Sequence, residues 1–346
     1  MGCSLLLFAT GAAPSNTSIF SPVSPPADTI RELFFLVVAV CAGILLVVEG
    51  VLIYSLLRFR RRPTDPTTEP PQVYGSTPIE IAWTTAPALI VFVFVLVLFR
   101  TEFKVRVDPE RDLAGGQPLR VTVIGHQWWW EYVYEKYGDD EIRAADGQPL
   151  VTANELRVPA SESGVKRPIL LTLKSADVAH SFWVPRLTGK TDLIPGKVNT
   201  TWFQTDRPGT YLGQCAEYCG TQHANMLLRV VVDSPDRFRQ WLDNERKPAA
   251  APSNPELTEG RDVFLRTACV NCHRVRGTLA KGTFGPDLTH LMARKTIASG
   301  MVDNDPKELR QWVDDPQKTK PGCLMPAMKL SEREIDLVVL YLRSLK

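Results

Sequence analysis

The chain lacks an excess of charge of either sign. Its 40 lysines and arginines stand against 38 acids in 346 residues, a formal net of +2, so the positive surplus from which nucleic-acid surfaces draw affinity is missing. Internal repeats, a Gly-rich phosphate loop and a serine–histidine–acid arrangement are also missing, which excludes solenoids, P-loop nucleotide enzymes and triad hydrolases. Histidine is scarce, at five residues. Cysteine is more plentiful, but its seven residues make no disulfide framework. Four fall into two short motifs, and Cys3, Cys41 and Cys323 remain as an odd set without a spacing pattern. Cys41 lies in an apolar run and reads as a small packed hydrophobe. At this length two or three domains are expected.

The first motif spans residues 215–226, C-A-E-Y-C-G-T-Q-H-A-N-M. Cys215, Cys219, His223 and Met226 put two thiolates, an imidazole and a thioether into one loop, and His180 in D-V-A-H-S-F supplies a second imidazole. Soft sulfur ligands with imidazole and a weak methionine favour copper, in an electron-transfer arrangement. The plainer alternatives are a Cys215–Cys219 disulfide and a Cys2His2 zinc site. A disulfide has no use for the histidines, and zinc has none for the methionine.

The second motif is Cys269-Val270-Asn271-Cys272-His273, a C-x-x-C-H attachment site for a c-type haem, with His273 as axial ligand. Met325, in P-G-C-L-M-P, supplies a distal thioether that raises the potential, and Met328 is the weaker candidate. Cys323 is expected to pack near the haem without ligating it. Gly285-Pro286 can bring a backbone carbonyl under the proximal imidazole and fix its tautomer. His290, so soon after Pro286, reads as a packing or surface residue.

The N-terminal hundred residues read as a membrane hairpin. Residues 33–57 are nearly all apolar, with Glu49 as the only charge, and residues 81–99 form a second run. At 1.5 Å per residue each can cross a hydrocarbon core of roughly 30 Å. Arg58, Arg60, Arg61 and Arg62 open the connecting loop, while residues 1–30 contain no lysine or arginine. The positive-inside rule therefore puts the loop in the cytoplasm and both chain ends outside. Glu49 is expected to face protein or water rather than lipid. By spacing alone Glu80 is an ordinary interfacial carboxylate, and residues 5–13 resemble a short signal core without basic residues before it.

From about residue 101 to 243 the pattern turns to strands. Residues 119–123 alternate, residues 169–173 and 226–232 are short apolar runs, and Arg207-Pro208-Gly209 marks a turn. The expectation is a β-sandwich with the metal loop joining two strands at one end. In Gly125-His126-Gln127-Trp128-Trp129-Trp130, alternation buries either Trp129 or the Trp128/Trp130 pair, and His126 reads as structural. Residues 244–257 form a Pro/Ala linker able to reach roughly 40 Å. Residues 258–346 then turn helical, with Gly260, Val263 and Phe264 facing Val338 and Tyr341, and a capping box at Ser331–Glu334. This last part carries fifteen basic residues against eleven acids. Glu131, Glu135, Asp139, Asp140 and Glu141 are the expected docking face for it.

Together the hairpin, G-H-Q-W-W-W, D-V-A-H-S-F-W-V-P, K-T-D-L-I-P-G, the cysteine loop and C-V-N-C-H resemble the cytochrome c oxidase subunit II family, in its caa-type form with a fused cytochrome c. The resemblance covers about residues 30–346, and Trp129, where the family often has tyrosine, is its one mild departure. It implies an N-terminal segment at 1–30, a two-helix transmembrane hairpin at 31–100, an all-β cupredoxin sandwich at 101–243, and an all-α cytochrome c domain at 258–346. It also implies a binuclear copper centre, CuA, held by His180, Cys215, Cys219, His223, Met226 and the Glu217 carbonyl. The Glu217 carboxylate would touch a magnesium ion shared with subunit I. Trp128 would be the point where electrons arrive, and Glu80 the mouth of a proton path. Subunits I and III, membrane lipid, and a cytochrome bc complex or small cytochrome c as donor are the implied partners. The implied place is the bacterial plasma membrane, with the metal domains outside. Five histidines are too few for this chain to build an oxygen-reducing site itself, so that chemistry falls to subunit I. Three alternatives differ. A quinol-oxidase subunit lacks the copper ligands, a copper-delivery factor places its histidine far downstream, and a free-standing membrane-anchored carrier would co-purify without a haem-copper partner.

Overall fold

Two long apolar runs without an internal breaker strong enough to stop them become two long helices. In the computed structural model, which describes residues 17–63, 72, 74–106 and 116–346, these are α1 (Pro25–Arg58) and α2 (Thr77–Arg106). Their 34 and 30 residues correspond to about 50 and 45 Å at 1.5 Å per residue, longer than the hydrocarbon core. Pro87 sits inside α2, as spanning helices tolerate. The most apolar window of each helix has no residue buried within the chain, and Cys41 and Glu49 are on the exposed surface of α1. The packing expected for Cys41 is therefore absent in the single chain. Cys3 and the apolar stretch 5–13 lie outside the described residues.

The strand region folds as two sheets. The strands are β1 (Leu119–His126), β2 (Trp129–Tyr137), β3 (Asp140–Glu141), β4 (Leu150–Ala153), β5 (Glu155–Pro159), β6 (Ile169–Ser175), β7 (His180–Trp183), β8 (Thr191–Leu193), β9 (Asn199–Phe203), β10 (Gly209–Cys215) and β11 (Leu227–Asp233). One sheet runs β3-β2-β1-β6-β9, with β4 also on β2; the other runs β5-β11-β10-β7-β8. Period-two alternation turns Trp130, Tyr132 and Tyr134 of β2 inward, where Phe182 and Phe203 also lie fully buried. The Trp128/Trp130 pair is thus the buried one. Trp129 is half-buried, its ring stacked on His126 at 4.3 Å. A following helix, α3 (Pro235–Glu245), lays Phe238 on Tyr137 and Trp241 on Tyr134. The segment before α1 is tied to the sandwich by Val23 N–H donating to the Arg186 carbonyl.

The last part contains α4 (Pro255–Arg266), α5 (Cys269–Cys272), the short strands β12 (Thr296–Ile297) and β13 (Val302–Asp303), α6 (Pro306–Asp314), α7 (Pro316–Thr319) and α8 (Glu332–Ser344). It is helical apart from that two-residue ladder. Asn254 and Asp305 cap α4 and α6, and Ser331 with Glu334 forms the expected capping box on α8. Gly260 allows α4 to cross α8 closely, since a Cβ there would stand 2.2 Å from the Leu337 carbonyl oxygen. Phe264 and Tyr341 meet at 5.8 Å beside that crossing. The linker is not the free tether that its composition suggests. Arg276 donates to the Glu245 carbonyl, His290 Nε2 meets the Lys247 carbonyl at 3.0 Å, and Ala249 N–H donates to the Arg276 carbonyl.

Candidate metal centres

The cysteine loop is the connection between β10 and β11, which pair antiparallel with Gln214 opposite Leu227. Cys215 ends β10, and its N–H donates to the Met226 carbonyl at 2.9 Å. The loop is therefore pinched shut at its base. His180 opens β7, which pairs with β10 beside Cys215. These strands bring five side-chain donors to one place. Cys215 Sγ and Cys219 Sγ are 3.8 Å apart, well beyond the bonded distance of about 2.05 Å for a disulfide. His180 Nδ1 lies 4.0 Å from Cys215 Sγ, and His223 Nδ1 lies 3.6 Å from Cys219 Sγ. Met226 Sδ is 3.8 Å from Cys219 Sγ, and the Glu217 carbonyl oxygen is 3.2 Å from Cys215 Sγ. Tetrahedral zinc has use for four donors, whereas these two sulfurs are ringed by four more. The set fits two soft metal ions sharing the thiolates.

His180 is fully buried, and its orientation is fixed by Asp177. The Asp177 carboxylate lies 2.8 Å from His180 Nε2 and accepts Gln127 N–H at 2.6 Å. Such a carboxylate on the outer ring nitrogen leaves the inner nitrogen free to ligate. Burial pulls the imidazole down, but Asp177 and then Cys215 outweigh it and hold it above its ordinary range. The hydrogen bond from the Cys219 thiol holds Cys215 low, and that same bond, then burial, pushes Cys219 up. A soft cation binds such a pair as thiolates. The Asp-x-x-His spacing was the available signal for Asp177, and sequence reasoning missed it.

Cys269, Cys272 and His273 come together at α5 on the wall of a mostly apolar cavity, with Met325, Met328 and Cys323 also lining it. His273 Nδ1 donates to the Pro286 carbonyl at 2.8 Å, which leaves Nε2 as the nitrogen able to ligate. Burial holds this imidazole below its ordinary range and hence neutral. Gly285 passes so close that a Cβ there would lie 2.8 Å from the ring. Cys323 Sγ accepts from Gln317 Nε2 at 3.2 Å, while the same amide also donates to the Met325 carbonyl at 3.0 Å. Two thiols, a neutral imidazole and facing thioethers around an apolar cavity fit a covalently held haem. His290 has both ring nitrogens against backbone carbonyls and is a packing residue.

Trp128 belongs to both sites. It is 9% exposed, lines the same cavity as His273, and donates Nε1–H to the Cys219 carbonyl at 3.0 Å. Gln127 Nε2 donates to that same carbonyl at 2.8 Å. Lys320, from the C-terminal domain, is 3% exposed and donates to the Trp128 carbonyl. Burial pulls its ammonium down to about 7. Three of the five acids expected to form the docking face have partners within the sandwich: Thr122 donates to Glu135, His126 lies 3.3 Å from Glu131, and Arg143 pairs with Glu141. The contacts across the boundary fall instead on Glu155, Gln222, Asn225 and Leu227. Glu217 is half-buried at the edge of the loop, and Glu80 stands exposed in the first turn of α2.

Three family models match the chain. The transmembrane domain of cytochrome c oxidase subunit II matches residues 12–101, its periplasmic domain matches residues 119–234, and cytochrome c matches residues 257–346. Cytochrome c oxidase subunit 2 of Alkalihalophilus pseudofirmus is 34% identical over 346 residues, covering 99% of this chain and 95% of the relative. The same subunit of Bacillus sp. strain PS3 is 30% identical over 361 residues, covering 99% and 95%. Among solved structures, the periplasmic domain of subunit II of the Bradyrhizobium japonicum cytochrome oxidase is 35% identical. It covers 37% of this chain and 93% of its own, with a TM-score of 0.30.

Proposed function

This chain belongs to the cytochrome c oxidase subunit II family, and from that premise we propose how its residues divide the work of taking electrons in. It is a membrane-anchored subunit of a haem-copper oxidase, with a periplasmic CuA domain, a cytochrome c domain and subunit I as its partner. When bound, haem c and the copper pair each accept and pass on one electron at a time. Cys269, Cys272, His273 and Met325 would hold the haem, the two cysteines by covalent attachment. Cys215, Cys219, His180, His223, Met226 and the Glu217 carbonyl would hold the copper. Asp177 fixes the His180 tautomer. Trp128 links the two sites.

The observation that carries this reading is the position of Trp128. Its ring walls the haem cavity while its N–H holds the backbone of a copper-bridging cysteine. A one-residue connection of this kind shortens the distance an electron must cross through solvent or void. The same reading gives the Glu217 carboxylate to a magnesium ion shared with subunit I, and Glu80 to the mouth of a proton path there. It also includes subunit III, a cytochrome bc complex or small cytochrome c as donor, and the bacterial plasma membrane as location. On this reading the domains are 31–100, 101–243 and 258–346, the last two joined by 244–257. The test is Trp128→Ala in the intact oxidase, with haem-to-copper transfer followed after rapid photoreduction. The rate should fall by roughly tenfold or more, with the copper EPR signal and haem spectrum unchanged. A wild-type rate would make Trp128 a packed core residue only.

A further inference from the structure

We propose that Glu155 and Lys320 are a reciprocal pair of positioning residues that hold the C-terminal domain against the copper loop and so set the geometry between haem cavity and Trp128. This rests on the assignment of the two sites above. Glu155 begins β5 on the sandwich and is 6% exposed. Its Oε1 accepts Lys295 N–H, Thr296 N–H and the Thr296 hydroxyl, each at 2.9 Å, and Oε2 accepts Lys295 N–H at 3.1 Å. All of these donors belong to the C-terminal domain. Lys320 mirrors it from the other side. Its Nζ donates to the Trp128 carbonyl at 2.8 Å, the Asn225 carbonyl at 2.9 Å and the Ala298 carbonyl at 3.3 Å. Two of these three acceptors are in the copper domain.

An unpaired charge out of water is costly unless hydrogen bonds replace its hydration. Here each domain buries one ionisable side chain whose hydrogen bonds come wholly or mostly from the other domain. The Lys320 amino group, with three protons when charged, meets three carbonyls; the Glu155 carboxylate meets two amides and a hydroxyl. Parting the domains would break both sets of hydrogen bonds together. Nearby bonds fix the register: Leu227 N–H donates to the Ser299 carbonyl at 3.1 Å, Ser299 Oγ donates to the Leu227 carbonyl at 3.0 Å, and Gln222 Nε2 donates to the Pro321 carbonyl at 2.5 Å. The anchors therefore surround residues 222–227, which carry two of the copper donors, His223 and Met226.

Buried contacts between a charge and backbone dipoles escape most ionic screening, whereas docking between exposed charged faces does not. Haem-to-copper transfer in this chain should thus be flat across ionic strength, unlike transfer through a steered encounter. The consequence for specificity is direct. With the domain held, Trp128 is covered, and a diffusing donor protein must deliver its electron to the haem.

The test uses the full chain in its oxidase as wild type, Glu155→Gln and Lys320→Met. Amide hydrogen exchange at Lys295, Thr296 and Leu227 reports the contact, and the transfer rate is measured from low to high salt. The expected result in both variants is faster exchange at these amides, transfer slowed on the order of tenfold, and a new salt dependence. The copper EPR and haem spectra should be unchanged in Glu155→Gln. Lys320 touches the carbonyl next to Met226, so if Lys320→Met alters the copper signal, Glu155→Gln alone decides. A Glu155→Gln protein that transfers at the wild-type rate with no salt dependence overturns the proposal, whatever its exchange shows. A slowed, salt-dependent Glu155→Gln beside a Trp128→Ala of wild-type rate would keep the positioning pair and remove only the Trp128 route.

Discussion

At the scale of single residues, each candidate centre has a side chain that holds a donor residue in place without being a donor itself. Asp177 holds His180 through Nε2 and holds Gln127, next to Trp128, through its other oxygen. Asp177→Asn keeps the shape but weakens the charge-assisted bond, so copper affinity should fall about 10–100-fold, as measured by competition with a copper chelator. Unchanged affinity would mean that packing alone orients His180. In the haem cavity, Gln317 holds the Met325 carbonyl, which argues for Met325 over Met328 as distal ligand. Met325→Ala should leave the haem attached but lower its potential, because a soft ligand favouring reduced iron is lost, while Met328→Ala should change the redox titration little. The reverse pattern would give the distal position to Met328 and leave the attachment site as assigned.

At the scale of elements, the crossing of α4 and α8 is the feature most exposed to a single change. Gly260→Ala gains helix propensity of about 1 kcal/mol. The new Cβ would, however, stand 2.2 Å from a backbone carbonyl and 3.1 Å from Tyr341 Cβ, and forced overpacking costs about 1–3 kcal/mol or more. The clash outweighs the propensity because a backbone atom cannot swing aside as a side chain does. The haem domain should unfold at lower denaturant by that difference, and a variant as stable as wild type would show that the helices can slide apart freely. The β10–β11 hairpin is sturdier, since its register is set by six residue pairs and by the Cys215–Met226 bond at the loop base.

At the scale of the whole molecule, donor and acceptor domains lie in one compact unit, and the linker between them is strapped down rather than loose. Glu245 is buried, and Arg276 and His290 bind the chain as it leaves α3, at Glu245, Lys247 and Ala249. Haem-to-copper transfer should therefore be first-order, with one rate over a hundredfold range of protein concentration. A rate that climbs with concentration would mean that the haem of one molecule reduces the copper of another.

The sequence by itself determined the donor atoms and their chemistry. C-x-x-x-C-x-x-x-H-x-x-M and C-x-x-C-H are short-range patterns, and ligands inside one loop need only a turn to meet. It also determined the two long helices, because an apolar run of spanning length leaves few other folds, and it determined the tight α4–α8 contact through Gly260, Phe264 and Tyr341. Only the tertiary structure decided which carboxylate holds His180, that Trp128 both lines the cavity and bonds the Cys219 carbonyl, and which backbone groups meet Glu155 and Lys320. Glu155 and Lys295 are 140 positions apart, and Lys320 and Trp128 are 192 apart. The partners of Lys320, and most of those of Glu155, are backbone groups, which every residue carries alike. A side chain that binds backbone leaves no complementary residue type to read, so the acids rich in visible charge drew the docking prediction while the two buried charges made the contact.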